Sequence, residues 1–296
     1  MSYYNIFNLI GDTPVMELKR YSSGKKNRIF AKLEGTNPGG SIKDRIALYM
    51  IRRAQKNKLL PPGKKIIEAT SGNTGIGLAM LSAVLGYRFV AVMPDSVSIE
   101  RRKLLKAYGA QIILTDGKKG TDGAILYAKN LVKDNGDYLM LDQFANPANV
   151  LAHYQTTAKE IICQIPQVTH FVAGMGTGGT LMGVGKRLKE YNPLVKIIGI
   201  EPKPHSKIQG LRNMTNFTPP IFNHDKLDGK LTISNDEPAF ELARDLFRKE
   251  GLSVGISSGA ALWGAIQISR RIRQGIIVTI FPDRGDKYLS TPLFSE

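Results

Sequence analysis

The chain has 296 residues, 42% of them hydrophobic, with 41 Lys and Arg against 25 Asp and Glu and a formal charge of +16. That balance supports a sizeable core and excludes a disordered chain, while one cysteine, Cys163, and four histidines exclude a disulfide framework and leave no expectation of a metal site. The basic residues fall in short scattered clusters such as Arg101-Arg102-Lys103 and Arg270-Arg271, so they read as solvated helix faces and not as a nucleic-acid surface; anionic metabolites or an acidic partner stay open.

From the N-terminus, Met1 to Asn5 lacks the profile of a signal peptide, and no run approaches the roughly 18 apolar residues of a membrane span; a cytoplasmic protein is expected, with no membrane contact. A first helix is expected from near Ser41 to before Pro61. Strands are predicted at 65–69, 89–93, 111–114, 138–141, 170–173, 196–200 and 276–280, where short β-branched runs are punctuated by Gly, Pro, Asn or Asp. Helices at 73–86 and 99–108, the latter closed by Gly109, supply crossovers of the length that parallel strands require. The rhythm is βαβα, hence an α/β fold, with a boundary placed near residue 145. The stretch from His205 to Lys230, with Pro219-Pro220, reads as a long surface segment. Cys163, beside Ile161 and Ile162, is expected to be a buried small hydrophobe, and Trp263 a core residue.

Four segments carry chemistry. In Asn37-Pro38-Gly39-Gly40-Ser41-Ile42-Lys43-Asp44-Arg45, Ser41 and Asp44 have capping-box spacing, which puts Lys43 in the first helical turn. The positive helix terminus disfavours its charged form, as a Schiff-base lysine needs; an exposed, solvated lysine is the ordinary alternative. Thr70-Ser71-Gly72-Asn73-Thr74-Gly75 joins a strand to a helix and offers N–H and hydroxyl donors to a carboxylate or phosphate, more than a cap requires. Gly174-Met175-Gly176-Thr177-Gly178-Gly179-Thr180 contains G-x-G-x-x-G, and the next strand ends near the acidic Glu201, so an NAD-dependent enzyme stays open; Thr177 and Thr180 suit a terminal phosphate better. Gly255-Ile256-Ser257-Ser258-Gly259 reads equally as a Ser-capped helix or a functional turn.

Taken in this order, the four segments resemble the pyridoxal-phosphate enzymes of the cysteine synthase and cystathionine β-synthase family over essentially the whole chain. The Asn-Pro-Gly-Gly-Ser form, Glu100-Arg101-Arg102 and the ending Asp283-Arg284-Gly285-Asp286-Lys287-Tyr288-Leu289-Ser290-Thr291 are most similar to its B-type cysteine synthases. The resemblance implies fold type II, like the tryptophan synthase β chain: two three-layer α/β/α domains with mostly parallel sheets. They would span 1–145 and 146–296, with roughly 1–36 crossing to the second and the active site in the cleft between them. It implies pyridoxal 5'-phosphate on Lys43, which is also the general base. Asn73 would bind the phenolic oxygen, Gly176, Thr177, Gly178, Gly179 and Thr180 the phosphate, and Ser257 the pyridine nitrogen. Thr70, Ser71, Gly72, Thr74 and Gln143 would bind the substrate carboxylate, and Arg212 an anionic donor or leaving group.

The implied reaction is β-replacement on O-acetyl-L-serine through an aminoacrylate, with sulfide or another sulfur donor giving L-cysteine. O-phosphoserine, serine or cysteine as substrate are alternatives, as is a cystathionine β-synthase-like condensation. A homodimer and small-molecule substrates follow from the resemblance, and an acidic partner or sulfur-carrier protein remains compatible with the charge.

Overall fold

The computed structural model describes residues 5–22, 26–70, 72–215 and 217–294. Two sheets organise it. In the smaller, β3 (Lys65–Ala69), β4 (Arg88–Pro94), β5 (Gln111–Thr115) and β6 (Tyr138–Met140) lie in the order β5-β4-β3-β6, all parallel. In the larger, the order is β1-β2-β10-β7-β8-β9, built from β1 (Val15–Glu17), β2 (Asn27–Leu33), β7 (His170–Gly174), β8 (Lys196–Pro202), β9 (Gly229–Ile233) and β10 (Gly275–Phe281). Only the β1–β2 pair is antiparallel. The central strands are buried on both faces by helices, which is why they read as continuous Ile and Val runs without alternation.

Helices cover these faces according to their sequence. α1 (Lys43–Lys56) buries Ile46, Ala47, Met50 and Ile51 along one stripe against α2 (Asn73–Leu85). α2 is apolar nearly all round because it is buried on most of its surface, and a Cβ at Gly77 would lie 3.2 Å from the Ala47 methyl. α3 (Ile99–Ala107) and α4 (Gly120–Asp134) complete the smaller layer. α5 (Pro147–Ala152) runs through one π-turn at His153–Thr157 into α6 (Ala158–Gln164). α7 (Gly179–Tyr191), α8 (Glu237–Glu250) and α9 (Ile256–Arg271) cover the larger sheet, with Phe240, Ala243 and Leu246 of α8 packed against α9.

Each sheet reverses its strand order once. The chain adds β4 and β5 on one side of β3 and then places β6 on the other; likewise β8 and β9 extend one side of β7, and β10 takes the other. The carboxyl ends of strands beside such a switch point leave a crevice. From the β3, β6, β7 and β10 ends come the segments at 70–75, 141–143, 174–180 and 282–283.

Several expectations are corrected. β1, β2 and β9 were not anticipated, since Arg28, Lys32 and Lys230 interrupt their apolar pattern. Cys163 is exposed, not buried: on α6 the inward positions are Ala158 and Ile161, and Cys163 has turned out of that face. The segment between β8 and β9 is irregular apart from a single turn at His224–Lys226, and its Ile208, Met214 and Phe222 are buried. Among the described residues, no helix is long and apolar enough to cross a membrane.

Candidate active site

α1 begins at Lys43 and not at Ser41, and the capping box does not form. Ser41 is drawn into an extended bridge with Asp283, and the Ile42 N–H donates to the Pro282 carbonyl at 2.8 Å. The Ser41 hydroxyl accepts the Lys43 N–H at 3.2 Å, while the Asp44 carboxylate turns back to the Gly39 N–H at 2.6 Å. Lys43 thus stays in the first helical turn. Its amine has no hydrogen-bond or ion-pair partner among the described residues, and its pKa is pushed down to about 8. Burial is the main cause, with Asp283 and Glu34 opposing it.

The 70–75 turn is built around Thr70, whose hydroxyl accepts the N–H groups of Gly72 at 3.0 Å and Gly75 at 3.1 Å. Gly72 has φ +139°, and a Cβ there would overlap the Arg101 side chain. Thr70 is buried beneath the turn, and its hydroxyl shapes that turn. Ser71 lies outside the described residues. Thr74 faces the crevice and its hydroxyl donates to the Gln143 side-chain oxygen Oε1 at 2.6 Å; Gln143 Nε2 donates to the Ala69 backbone carbonyl at 2.9 Å. Beneath them, the buried Glu68 carboxylate accepts the N–H groups of Asp142 at 2.9 Å and Gln143 at 3.1 Å.

Across the crevice, Gly178 turns left-handed at φ +85° to start α7. A Cβ on Gly176 would stand 2.7 Å from the Gly210 carbonyl oxygen, and one on Gly179 would overlap the Asn149 amide. The Thr177 hydroxyl accepts from Asn149 at 2.9 Å and from the Gly179 N–H at 3.4 Å, which leaves its own proton to donate. Thr180 meets His153 at 3.3 Å; burial, then Lys43 and Arg45, hold that imidazole well below its usual pKa. Ser257, in the first turn of α9, is buried, and its hydroxyl makes no hydrogen bond to another described residue.

These groups converge on two cavities. One of about 50 Å³ is lined by Lys43, Asn73, Gly176, Thr177, Gly178, Thr180 and Ser257 among others. The other, of about 300 Å³, shares Lys43, Asn73, Gly176 and Thr177 with it and adds Thr74, Gln143, Arg101 and Arg212. Arg212 is half-sandwiched by Phe144 and Phe217, 5.1 and 4.7 Å from its guanidinium carbon, and pairs with Asp122 at 2.9 Å. Sequence reasoning missed Asp283, Lys287, Arg101 and Asn149, which hold the lining residues in place. Asp283 and Lys287 enter the sequence reading only within the resemblance, and Arg101 also in a basic cluster expected to be solvated; Arg101 is instead buried, and a buried charge has no periodicity to reveal it.

The donor set fits pyridoxal phosphate. A glycine cradle opens a 13-residue helix, with free hydroxyl and N–H donors for a phosphate, and a partnerless lysine stands beside it. The alternative dinucleotide reading needs an available acid at the end of β8, but Glu201 is buried, accepting the Met214 N–H and pairing with Lys230, both at 2.7 Å. A family model described as pyridoxal-phosphate dependent enzyme matches residues 6–283. A cysteine synthase of Aquifex aeolicus is 47% identical over 98% of this chain and 92% of its own. Among solved structures, an O-ureido-L-serine synthase superposes with TM-score 0.93 at 40% identity, covering 99% of this chain and 96% of that one. A hydrogen sulfide-producing enzyme from Fusobacterium nucleatum gives 0.92 at 41%, covering 97% and 100%. The chain belongs to the pyridoxal-phosphate dependent enzymes. Its fold is fold type II, its cofactor is pyridoxal phosphate, and within the family it groups with the cysteine synthases.

Proposed function

We propose that this chain makes L-cysteine by β-replacement on O-acetyl-L-serine, with sulfide or another sulfur donor as second substrate. The observation that carries this reading is the partnerless Lys43 amine, poised where the two cavities meet. The glycine cradle and Ser257 lie on one side of it, Thr74 and Gln143 on the other. Gly176 to Thr180 would hold the cofactor phosphate, Asn73 the phenolic oxygen, and Ser257 the ring nitrogen with a neutral hydroxyl. When bound, pyridoxal phosphate supplies a conjugated ring that accepts the charge developing at the substrate Cα.

Lys43 carries the proton work. With pyridoxal phosphate in place, its amine would take the proton from the substrate Cα and later return it there, and its lowered pKa gives a usable neutral fraction near neutral pH. Thr74 and Gln143, locked to each other and to β3, fix the α-carboxylate so that the Cα–H bond faces Lys43. Thr70 and Gly72 support that carboxylate site by shaping the turn; Ser71 is the further carboxylate-binding residue that the resemblance implies. Arg212 stands at the cavity edge for an anionic donor or leaving group.

A second reading, sulfide release from cysteine, is favoured by the similarity to a sulfide-producing enzyme. We also take 1–145 and 146–296 as two domains with the cleft as the site; the membership of β1 and β2 in the β7–β10 sheet supports an N-terminal crossover. A cytoplasmic homodimer accompanies this reading, to be checked by sedimentation and fractionation. The direct test is the visible spectrum of the protein with pyridoxal phosphate, before and after O-acetylserine. A band that converts on addition, with cysteine formed once sulfide is present, supports the proposal; a band that converts only with cysteine favours the second reading; no band overturns both.

A further inference from the structure

The segment after β10 reaches into the site from behind. Lys287 is 2% exposed, and its amine meets three acceptors: the carbonyls of Gly39 at 2.9 Å and Gly40 at 3.0 Å, and Asn73 Oδ1 at 3.1 Å. An ammonium has three donors and no acceptor, so all three protons are used. On its other side Asn73 Nδ2 donates to Asp283 Oδ2 at 2.6 Å, and the same oxygen accepts the Tyr288 hydroxyl at 2.7 Å. The Asn73 amide is therefore bracketed by a donor-only group and an acceptor-only group. Its two orientations are not equivalent: a flip would set Oδ1 against the Asp283 carboxylate and the amide N–H groups against the Lys287 ammonium. With the observed orientation, one Nδ2 proton goes to Asp283 and the second is left for the cavity that Asn73 lines.

The same amine anchors the chain that delivers Lys43. Gly39 and Gly40 precede it by four and three positions, and Gly40 has φ +72°, a left-handed conformation that glycine adopts without strain. Lys287 binds the two carbonyls while Asp44 binds the Gly39 N–H, so the loop is held from both sides. Ser98 in turn holds the Lys287 backbone carbonyl at 2.9 Å, and Glu100 accepts the Ser290 N–H at 2.9 Å and its hydroxyl at 2.8 Å, fixing the segment to α3.

We propose that Lys287 is a positioning residue for the reaction: it holds Asn73 in the one amide orientation that turns an N–H toward the cofactor's phenolic oxygen, and it anchors the Gly39-Gly40 loop ahead of Lys43. The proposal rests on the cofactor assignment given above. Losing the directed N–H removes stabilisation from the ionised phenol. The absorption of the bound cofactor then moves toward the near-ultraviolet form in which the phenol keeps its proton.

The test compares the native protein with Lys287→Met and Lys287→Arg, each reconstituted with pyridoxal phosphate, and repeats Lys287→Met in an Asn73→Ala background. The expected result for Lys287→Met is a spectrum shifted toward the near-ultraviolet form and an about tenfold slower spectral response to O-acetylserine, the scale of one misdirected hydrogen bond. Lys287→Arg, which keeps donors, restores most of the native spectrum. In the Asn73→Ala background, Lys287→Met adds no further spectral shift, because the group it orients is gone. Should Met at this position prevent folding, Lys287→Gln, which keeps one donor, serves in the same comparison. A native-like spectrum and response in the folded variant, or an undiminished shift in the Asn73→Ala background, overturns the proposal while leaving the cofactor assignment intact. Absence of any band in the native protein overturns the cofactor assignment, and this proposal with it.

Discussion

Arg212 and Asp122 form an ion pair of 2.9 Å at the exposed edge of the larger cavity, linking the segment between β8 and β9 to the first turn of α4. The guanidinium that would receive an anion is thus already engaged by a carboxylate, and any anionic substrate has to share or displace it. Asp122→Asn is expected to lower KM several-fold for thiosulfate or O-phosphoserine with little change for sulfide and O-acetylserine. Arg212→Ala should do the opposite to the anionic pair. Steady-state kinetics across these four compounds, repeated at raised salt, measures the discrimination; equal effects on all four would remove Arg212 from substrate selection.

Lys43 should react with the cofactor as a lysine of lowered pKa. The neutral amine is the nucleophile, so the initial rate of reconstitution of the apoprotein with pyridoxal phosphate should rise with pH and level off above about 8, and not continue toward the 10.5 of an ordinary lysine. Stopped-flow absorbance gives the profile. Lys43→Ala should fold, with a melting midpoint within a few degrees because the amine has no hydrogen-bond or ion-pair partner among the described residues, yet show neither covalently held cofactor nor turnover.

Gly176→Ala places a methyl 2.7 Å from the Gly210 carbonyl oxygen, a contact that backbone must relieve. The expected outcome is a folded protein that loses cofactor on dialysis, with affinity reduced about tenfold or more, consistent with the ~1–3 kcal/mol cost of overpacking. Retention of cofactor measured by absorbance after dialysis checks it.

Away from the site, Glu160 on α6 joins Arg45 of α1 and Lys32 of β2, with Glu34 on the far side of Arg45 at 2.7 Å. Burial alone would raise the Glu160 carboxyl, but hydrogen bonds and charge from Arg45 and Lys32 outweigh it and bring its pKa down to about 2. A folded-state pKa below the unfolded one means that the unfolded chain binds the extra proton. The stabilisation is present above about 4.5 and is lost as pH falls from there through about 2. Glu160→Gln should cost ~3 kcal/mol at neutral pH and flatten the acid side of the stability curve, as urea unfolding at stepped pH will report.

The parts of this architecture that follow a period were legible in the chain. β3, β4, β5, β7 and β10 are short, mostly apolar runs, with Glu68 inside β3 and Thr279 inside β10 as polar exceptions, and they were placed to within a residue or two. β2 was not, because Arg28 and Lys32 break its pattern: Arg28 pairs with Glu17 at 2.8 Å, and Lys32 is buried against Glu160 at 2.8 Å. At the candidate site, motif order pointed to Lys43, Asn73, Gly176 to Thr180 and Ser257, and the fold brings Lys43, Asn73, Gly176, Thr177, Gly178, Thr180 and Ser257 to the lining of the same two cavities. Local spacing misled at Ser41 and Asp44, which satisfy a capping box on paper. Asp283, more than two hundred residues away, pairs with Ser41 and leaves Asp44 for Gly39. What the chain could not disclose is who holds the site residues, since Lys287, Asp283 and Asn149 act across distances that no window spans.

The position of β10 between β2 and β7 bears on the order in which this protein can assemble as it leaves the ribosome. The smaller sheet uses one continuous stretch, residues 65 to 140, and has every strand it needs before β7 is made. The larger sheet does not: β2, complete by residue 33, must wait for residues 275 to 281 before gaining its parallel neighbour. Pairing across that separation is slow to nucleate. Because Asp283 and Lys287 arrive with the same late segment, the core of the smaller sheet can form before that of the larger, and the contacts that hold Asn73 and the Gly39-Gly40 loop form only after β10 is made.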